Sequence, residues 1–222
     1  MITKHALRAT MPKTPGIVLA PFGVEELTRV LPLDSETLQY EVTHARTAFG
    51  KPPQQVYKRT YMQDLGLTAW GIYLGQRATT SFIGTVGTIE IGDRVDASLK
   101  YSQEVGTIIF DADSRGKGIG TLAKLAIVTH AIRHDKTRSF QAYTSVRNVA
   151  ARKSLEKVGF THIEDSDFLE FSGGENTREW ILIDPPSQER LRDIEPYLNF
   201  AAIAKGWKRY EAAAKRLKIT AA

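Results

Sequence analysis

The chain has 222 residues, 42% of them hydrophobic, which is enough for one domain of ordinary size with an appendage. No apolar run reaches the roughly 20 residues that a membrane helix requires, so we expect no membrane partner. The absence of cysteine excludes disulfides, thiolate zinc sites and a cysteine nucleophile, and is compatible with a reducing, cytoplasmic compartment. Residues 187–222 carry +4 of the net charge of +5, so the basic character belongs to the C-terminal segment.

The N-terminal half begins with a basic segment, residues 1–16, which is broken by prolines. We interpret it as a flexible extension, with a transit peptide as the less favoured alternative. Alternating and β-branched runs predict strands over 17–22, 68–74 and 81–91. Periodic apolar residues predict helices over 25–31 and 37–49, with residues 54–65 ambiguous between helix and loop and 94–102 a hairpin loop.

The C-terminal half alternates strands and helices. Strands are predicted over 104–110, 139–145 and 180–183, and helices over 121–134 and 150–158, the second closed by Gly159 as a left-handed C-cap. Helices between strands, with an early hairpin, indicate an α/β (α+β mixed) fold with a mixed sheet.

A glycine-rich loop joins the strand ending at Phe110 to the helix from Thr121, through Asp-Ala-Asp-Ser-Arg-Gly-Lys-Gly-Ile-Gly. Gly116, Gly118 and Gly120 permit sharp turns and close approach of a ligand. The N–H groups of the first helical turn lack intrahelical partners, and the helix dipole adds positive charge there. The loop therefore predicts a pyrophosphate site, although a turn rich in glycine for packing alone is the alternative.

Two other phosphate-binding motifs fit this loop poorly. A P-loop requires Gly-x-x-x-x-Gly-Lys-Ser/Thr, which the chain lacks. A Rossmann fingerprint is approached by the stretch from Gly118 to Ala123, but the acidic residue about 20 positions later is missing from residues 141–144.

A second block shows which family the sequence resembles. Asn148-x-x-Ala151 begins a helix and Leu155-Glu-Lys-Val-Gly-Phe160 ends it. With Arg115-x-x-Gly118-x-Gly120, this block resembles the GNAT acetyltransferase superfamily, and Leu155-Glu-Lys is similar to the branch of ribosomal-protein N-terminal acetyltransferases. The resemblance implies a mostly antiparallel mixed sheet flanked by helices over residues 17–184, followed by a C-terminal helical extension over 185–222. It also implies acetyl-CoA as co-substrate, no metal, and a primary amine of a small molecule, peptide or protein N-terminus as acceptor.

The resemblance assigns the CoA-binding residues. Ile109 and Phe110 would contact the pantetheine arm through their main chain, where the strand splays from its neighbour, and an N–H near Ile109 would stabilise the oxyanion. Asn148 would hydrogen-bond the pantetheine or hold the splayed strand; a plain helix N-cap is the alternative. The backbone that would cradle the pyrophosphate is formed by Arg115, Gly116, Lys117, Gly118, Ile119, Gly120 and Thr121.

The catalytic residues are less specified. Deprotonating a lysine-like amine at pH 7 requires roughly 4–5 kcal/mol and an α-amine only about 1–1.5 kcal/mol, so only the first needs a strong base. Glu104 is the first candidate base, through water, and a solvated strand-end carboxylate is its alternative. Tyr143 would act as an acid or merely pack, and the family's frequent acid, a tyrosine, is replaced by Leu155. Ser154 and the weaker candidate Glu164 complete the set.

The C-terminal segment carries an apolar stripe at helical spacing, formed by Phe200, Ile203, Trp207, Tyr210, Ala214 and Leu217. We favour packing of this stripe on the chain itself, with a homodimer contact or an acidic partner as alternatives. Two functions compete with acetyl transfer: a non-catalytic CoA-binding regulatory module, and a nucleic-acid-associated protein that acts through the basic segment. A nucleic-acid partner is the less expected of these.

Overall fold

The computed structural model describes residues 6–23, 62, 66–75, 81–90, 102–135, 137–163, 177–184 and 200–222. In these ranges the strands are β1 (Leu7–Met11), β2 (Thr14–Pro21), β3 (Leu67–Leu74), β4 (Phe82–Glu90), β5 (Ser102–Ile109), β6 (Ser139–Ser145), β7 (Thr161–His162), β8 (Thr177–Ile183) and β9 (Lys218–Ala221). The helices are α1 (Ile119–His134), α2 (Val149–Val158) and α3 (Phe200–Ala214). Within the described ranges, no helix has the length and apolar character needed to cross a bilayer.

The strands hydrogen-bond in the order β7-β8-β6-β5-β4-β3-β2-β1-β9. The pair β5-β6 is parallel, and β1-β2, β2-β3, β3-β4, β6-β8, β7-β8 and β1-β9 are antiparallel. The sheet is therefore mixed and mostly antiparallel, which confirms the predicted fold class. The chain divides into two compact units, one of residues 1–89, 107–123 and 218–222, the other of residues 90–106 and 124–217.

The first unit is built on β1 to β4 and the end of β5. Its β-branched and aromatic residues suit a pleated, buried surface, and Ile17, Leu19 and Ile72 are fully buried. Phe82 stacks on Phe22, with ring centroids 5.5 Å apart, in a small cluster that also holds Met62 and Ala69. The last strand, β9, pairs with β1 from Leu7 with Ala221 to Thr10 with Lys218.

The second unit surrounds β6 and β8, which pair along their whole length. All residues of α1 from Leu122 to Thr129 are buried, which explains why this helix has so few polar residues. The helix α3 packs on α2, β7 and β8, and Ile203 joins Ile163, Ile181 and Ile183 in one apolar cluster. Its Tyr210 hydroxyl donates to Thr129 Oγ1 at 3.3 Å.

The predicted elements of the C-terminal half are found within one to three residues of their expected bounds. Strand β6 has the bounds that the sequence predicted, and α2 ends at Gly159, whose φ of 109° is the left-handed cap conformation. Strands β2, β3 and β4 also lie where they were expected. The helices predicted at 25–31 and 37–49, and the segments 54–65 and 94–102, lie outside the described residues or nearly so.

The two predicted extensions differ from the structure. Residues 7–16 form β1 and the start of β2, because Leu7 and Ala9 are buried and pair with β2, so this part is not a flexible extension. The C-terminal segment contributes α3 to the second unit and β9 to the first. It is thus a structural part of the fold and not an appendage, and strand β2 crosses the predicted boundary at residue 17.

The buried residues of α3 show where its apolar stripe packs. Its buried residues are Ile203, Gly206, Tyr210 and Ala213, at spacings of three and four, whereas Trp207 and Ala214 are half-buried. The stripe packs on the chain itself, which is the interpretation that the sequence favoured.

Candidate functional site

The loop after β5 has the geometry of an anion cradle. A 3-10 turn over Ala112–Ser114 follows the strand, and the Ser114 hydroxyl donates to the Asp111 carboxylate. Gly116 and Gly118 then adopt φ values of 73° and 80°, in the left-handed region that favours glycine. Helix α1, of 16 residues, begins immediately afterwards at Ile119, so the loop leads directly into the N-terminus of this helix.

The surroundings of this loop fit a diphosphate. The side chains of Arg115 and Lys117 are exposed, and the helix dipole places partial positive charge at Ile119 and Gly120. A Cβ built at Gly116 would meet no atom within 4 Å, so that side of the backbone is open to a ligand. The buried hydroxyl of Thr107 lies close to the first turn of α1 and has no hydrogen-bond partner in the described part of the chain. It is therefore available to hydrogen-bond a polar ligand.

Arg115 connects the loop to the end of the strand. Its Nε donates to the carbonyl oxygen of Ile109 at 3.1 Å, and its second guanidinium nitrogen donates to the carbonyl of Phe110 at 3.4 Å. The sequence predicted a cation at the rim of the phosphate site. The structure adds a positioning function, because these bonds fix the loop relative to β5.

The end of β5 carries the two residues predicted to contact pantetheine through their main chain, Ile109 and Phe110. The N–H of Phe110 donates to the carbonyl of Ile83 on β4 at 2.8 Å, so it is already used. The N–H of Asp111 donates to the same carbonyl at 3.2 Å, so the alternation of backbone groups along a strand is interrupted where β5 ends. The N–H of Phe110 is therefore engaged with β4, and the roles of Ile109 and Phe110 as main-chain contacts to pantetheine, with an oxyanion donor near Ile109, stay predictions.

The parallel ladder between β5 and β6 covers the first three residues of β5. It runs from Ser102 with Ser139 to Glu104 with Gln141, and β5 continues for five residues beyond its last pair. On this continuation Gly106 is exposed, and a Cβ there would meet nothing within 4 Å. Beyond Glu104, β5 has no register partner on β6 among the described residues.

Glu104 and Tyr143, two of the candidate catalytic residues, lie on one face of the second unit. Glu104 is the register partner of Gln141, and the Tyr143 hydroxyl donates to Gln141 Oε1 at 3.2 Å. All three side chains are half-buried. Burial raises the pKa of the Glu104 carboxyl above its usual range, which is the direction that makes a carboxylate a stronger general base.

Ser154, the third candidate, has a different partner. The Nζ of Lys124 on α1 donates to Ser154 Oγ at 3.3 Å. Lys124 is 7% exposed, and burial lowers its pKa to about 8. Sequence reasoning missed Lys124; the available signal was a lysine within the apolar run from Ile119 to Val128. The structure therefore places Ser154 beside a buried lysine.

Asn148 is the N-cap of α2. Its Oδ1 accepts from the N–H of Ala151 at 3.0 Å, as the alternative interpretation predicted. The Nδ2 group of the same amide is the donor that a pantetheine contact would need, so the two roles remain compatible. Glu164 lies outside the described residues, and no three potential metal ligands cluster among the residues that the structure does describe.

Comparison with known proteins decides the family. The sequence model described as "Acetyltransferase (GNAT) domain" matches residues 18–161, well over half of the chain. The chain belongs to the GNAT acetyltransferase family. It is an acetyl-CoA-dependent acetyltransferase in its general chemistry, as the resemblance implied.

Solved structures show the same fold at low sequence identity. The aminoglycoside acetyltransferase AAC(6')-Ib in complex with coenzyme A has a TM-score of 0.58 and 18% identity, covering 79% of this chain and 99% of that one. Mycobacterium smegmatis RimJ in complex with CoA-disulfide has a TM-score of 0.57 and 14% identity, covering 86% and 95%. The spermidine/spermine N-acetyltransferase SpeG from Vibrio cholerae has a TM-score of 0.55 and 16% identity, covering 78% and 98%. No protein of curated function matches the sequence significantly.

One position departs from the GNAT pattern in a structurally informative way. Leu155, where the family often has a tyrosine acid, is 2% exposed and belongs to the core. It packs inside the second unit and offers no proton. A GNAT acetyltransferase with this residue must protonate its leaving thiolate from another group or from water.

A substitution at Gly116 tests the cradle of this GNAT acetyltransferase. We expect Gly116→Val to weaken CoA binding about tenfold, because a β-branched residue held at positive φ costs roughly 1–2 kcal/mol. Gly116→Asn should weaken it less, since asparagine tolerates the left-handed region. Titration calorimetry with CoA measures both, and equal losses for Asn and Val would show that backbone strain is not the cause.

Two substitutions separate the roles of Asn148. Asn148→Ala should lower the free energy of unfolding by about 1 kcal/mol through loss of the cap. Asn148→Asp keeps the cap acceptor but lacks the amide donor, so it should preserve stability and weaken CoA binding if Nδ2 holds the pantetheine. Urea unfolding and calorimetry on the same samples give the two readings; unchanged CoA affinity in Asn148→Asp would leave the cap as the only role.

Proposed function

We propose that the chain acetylates a primary amine of a small molecule, a peptide or a protein N-terminus, with acetyl-CoA as the donor. The observation that carries this proposal is the cradle at the start of α1, where two glycines at positive φ direct the backbone at a helix N-terminus. Structural neighbours named for an aminoglycoside and for spermidine/spermine support an amine acceptor. The likeness of Leu155-Glu-Lys to the ribosomal-protein branch is the reason for including an N-terminal α-amine.

Residues of the first unit would hold the donor. The backbone from Arg115 to Thr121 binds the pyrophosphate, and the free edge of β5 receives the pantetheine arm. The thioester carbonyl then lies against the N–H of Ile109, which stabilises the oxyanion that develops when the amine attacks. Such a donor contributes about 10²–10³ in rate in enzymes where it has been removed.

The transfer itself requires a neutral amine. An ammonium acceptor first loses a proton to Glu104 through a water molecule. The nitrogen lone pair forms the new C–N bond, the nitrogen releases its extra proton to water, the C–S bond breaks, and the sulfur leaves as a thiolate that takes up a proton. Because Leu155 offers none, this proton comes from water or from the Tyr143 hydroxyl.

A thiol-release screen tests the proposal. The full chain is incubated with acetyl-CoA and a panel of polyamines, aminoglycosides, amino acids and peptides with free N-termini, and free CoA is measured. We expect release that depends on one class of amine. Calorimetric binding of CoA with no release for any amine favours the non-catalytic module, and absence of both binding and release contradicts the proposal.

The nucleic-acid alternative needs a test that respects the fold. Deleting residues 187–222 would remove α3 and β9, both of which are part of the two units. The cations Lys205, Lys208 and Arg209 are exposed, and replacing them with glutamine leaves the buried side of α3 intact. An unchanged RNA or DNA affinity after this change excludes the basic segment as the binding surface.

The proposal includes a cytoplasmic location, because the acyl donor is an intracellular metabolite. It also includes a homodimer, but the structure limits which surface of α3 could form the contact. The apolar residues of α3 are used within the chain, so a dimer through this helix would have to employ its exposed side. Light scattering on the purified protein determines the oligomeric state.

A further inference from the structure

Gln141 lies between the two candidate acid–base residues on one face of the sheet. Its Cα is the register partner of Glu104 on the neighbouring strand, and Tyr143 follows two positions later on its own strand. Since side chains alternate along a strand and register partners share a face, Glu104, Gln141 and Tyr143 project to the same side. We refer to these three residues as the acid–base face.

The amide of Gln141 has chemistry that suits both neighbours. Its Oε1 already accepts the Tyr143 hydroxyl proton at 3.2 Å. With the oxygen fixed in this way, the two N–H donors of the amide remain on the other side of the group, and a carboxylate is an acceptor only. Neither a second carboxylate nor an apolar side chain at position 141 would both accept from a phenol and donate to Glu104.

We propose that Gln141 is a positioning residue of the acetyl transfer, which holds the Tyr143 hydroxyl with its oxygen and donates a hydrogen bond to the Glu104 carboxylate, directly or through one water. This inference rests on the proposed function, because it assigns Gln141 a role in the base catalysis described there. It adds a residue that no motif in the sequence indicated.

The consequence for Glu104 follows from which form a donor stabilises. Burial raises the pKa of Glu104, and no charged side chain among the described residues contributes to that shift. The strand β6 brings Tyr143 to this face, with its proton directed at Gln141, and β8 places Glu179 as the register partner of Tyr143. A donated hydrogen bond favours the ionised carboxylate and so opposes the rise, which favours the form of Glu104 that can accept a proton.

The pH dependence of kcat/KM with a lysine-like acceptor tests this role. Gln141→Met, which has similar length but no donor, should move the acidic limb of the profile upward by about one pH unit and lower kcat/KM about tenfold at pH values on the acidic side of that limb. Tyr143→Phe, which releases the amide from its anchor, should move the limb in the same direction by less. The acceptor amine titrates identically in every assay, so any movement comes from the enzyme.

The controls distinguish positioning from simple damage. Affinity for CoA and the thermal midpoint are measured on each variant, since a merely structural loss lowers the rate at every pH without moving the limb. If Gln141→Met does not fold, Gln141→Glu retains the length and the acceptor for Tyr143, and its second carboxylate should move the limb further upward. An acidic limb that stays in place in an active, folded variant overturns the role of Gln141. A wild-type chain that releases no thiol with any amine overturns the proposed function instead.

Discussion

Replacing Glu104 with glutamine should slow acetylation of a lysine-like amine by about 10²–10⁴, the usual contribution of a positioned general base. The same substitution should slow an α-amine acceptor far less. A lysine-like amine is almost fully protonated at pH 7, and its deprotonation requires roughly 4–5 kcal/mol against about 1–1.5 kcal/mol for an α-amine. The half-buried position of Glu104 beside Gln141 is consistent with this role, because burial raises its pKa.

The measurement compares kcat/KM of wild type and Glu104→Gln on two acceptors that differ only in the amine presented. Glu156→Gln is the matched control, since it makes the same chemical change at an exposed position on α2. Equal slowing of both acceptors by Glu104→Gln would remove Glu104 as the base, and would return it to the alternative of a strand-end carboxylate.

The parts of the site that could be predicted from sequence are those fixed by local backbone chemistry. Gly116 and Gly118 at positive φ, the N-cap at Asn148 and the C-cap at Gly159 each depend on a residue and its immediate neighbours. At such positions the residue type itself indicates the local backbone conformation. The predicted loop and the predicted bounds of α2 followed from these residues.

The parts that could not be predicted depend on pairing between distant segments. Strands β1 and β9 are short, lie far apart in the chain, and pair through backbone groups that any sequence possesses. The register of Glu104 with Gln141 is visible only once β5 and β6 are known to pair in parallel. Nothing in the residue types at these positions distinguishes such pairs from solvated polar side chains.

The stripe on α3 shows how a correct periodicity can still select the wrong residues. The sequence pattern favoured large apolar side chains, including Trp207, but the buried set contains Gly206. A Cβ at Gly206 would lie 2.4 Å from the carbonyl oxygen of Gly159, so the two backbones approach where both residues lack side chains. A close approach selects the smallest residue, whereas a hydrophobic pattern selects the largest.

Lys124 gives the largest expected effect on stability. Its pKa is about 8 in the folded chain against 10.5 for an ordinary lysine, and burial is the cause. A lowered pKa means that folding disfavours the charged form. The resulting penalty is fully present below pH 8, at about 3 kcal/mol, and disappears as the pH rises from 8 through 10.5.

Lys124→Met should therefore raise the free energy of unfolding at pH 7 by about 2 kcal/mol, since loss of the hydrogen bond to Ser154 offsets about 1 kcal/mol of the gain. Urea unfolding at pH 7 and at pH 10 measures the difference, which should shrink at the higher pH because wild-type Lys124 is then neutral in the folded chain and partly deprotonated in the unfolded chain. Lys153→Met, an exposed position on α2, controls for the change of side chain. A variant that is less stable than wild type at pH 7, or a difference independent of pH, would show that the amine is solvated and charged in the folded chain.

Ser154→Ala separates the two uses of the Ser154 hydroxyl: unchanged turnover together with altered stability would assign Ser154 to the packing of α2 on α1 and not to the chemistry.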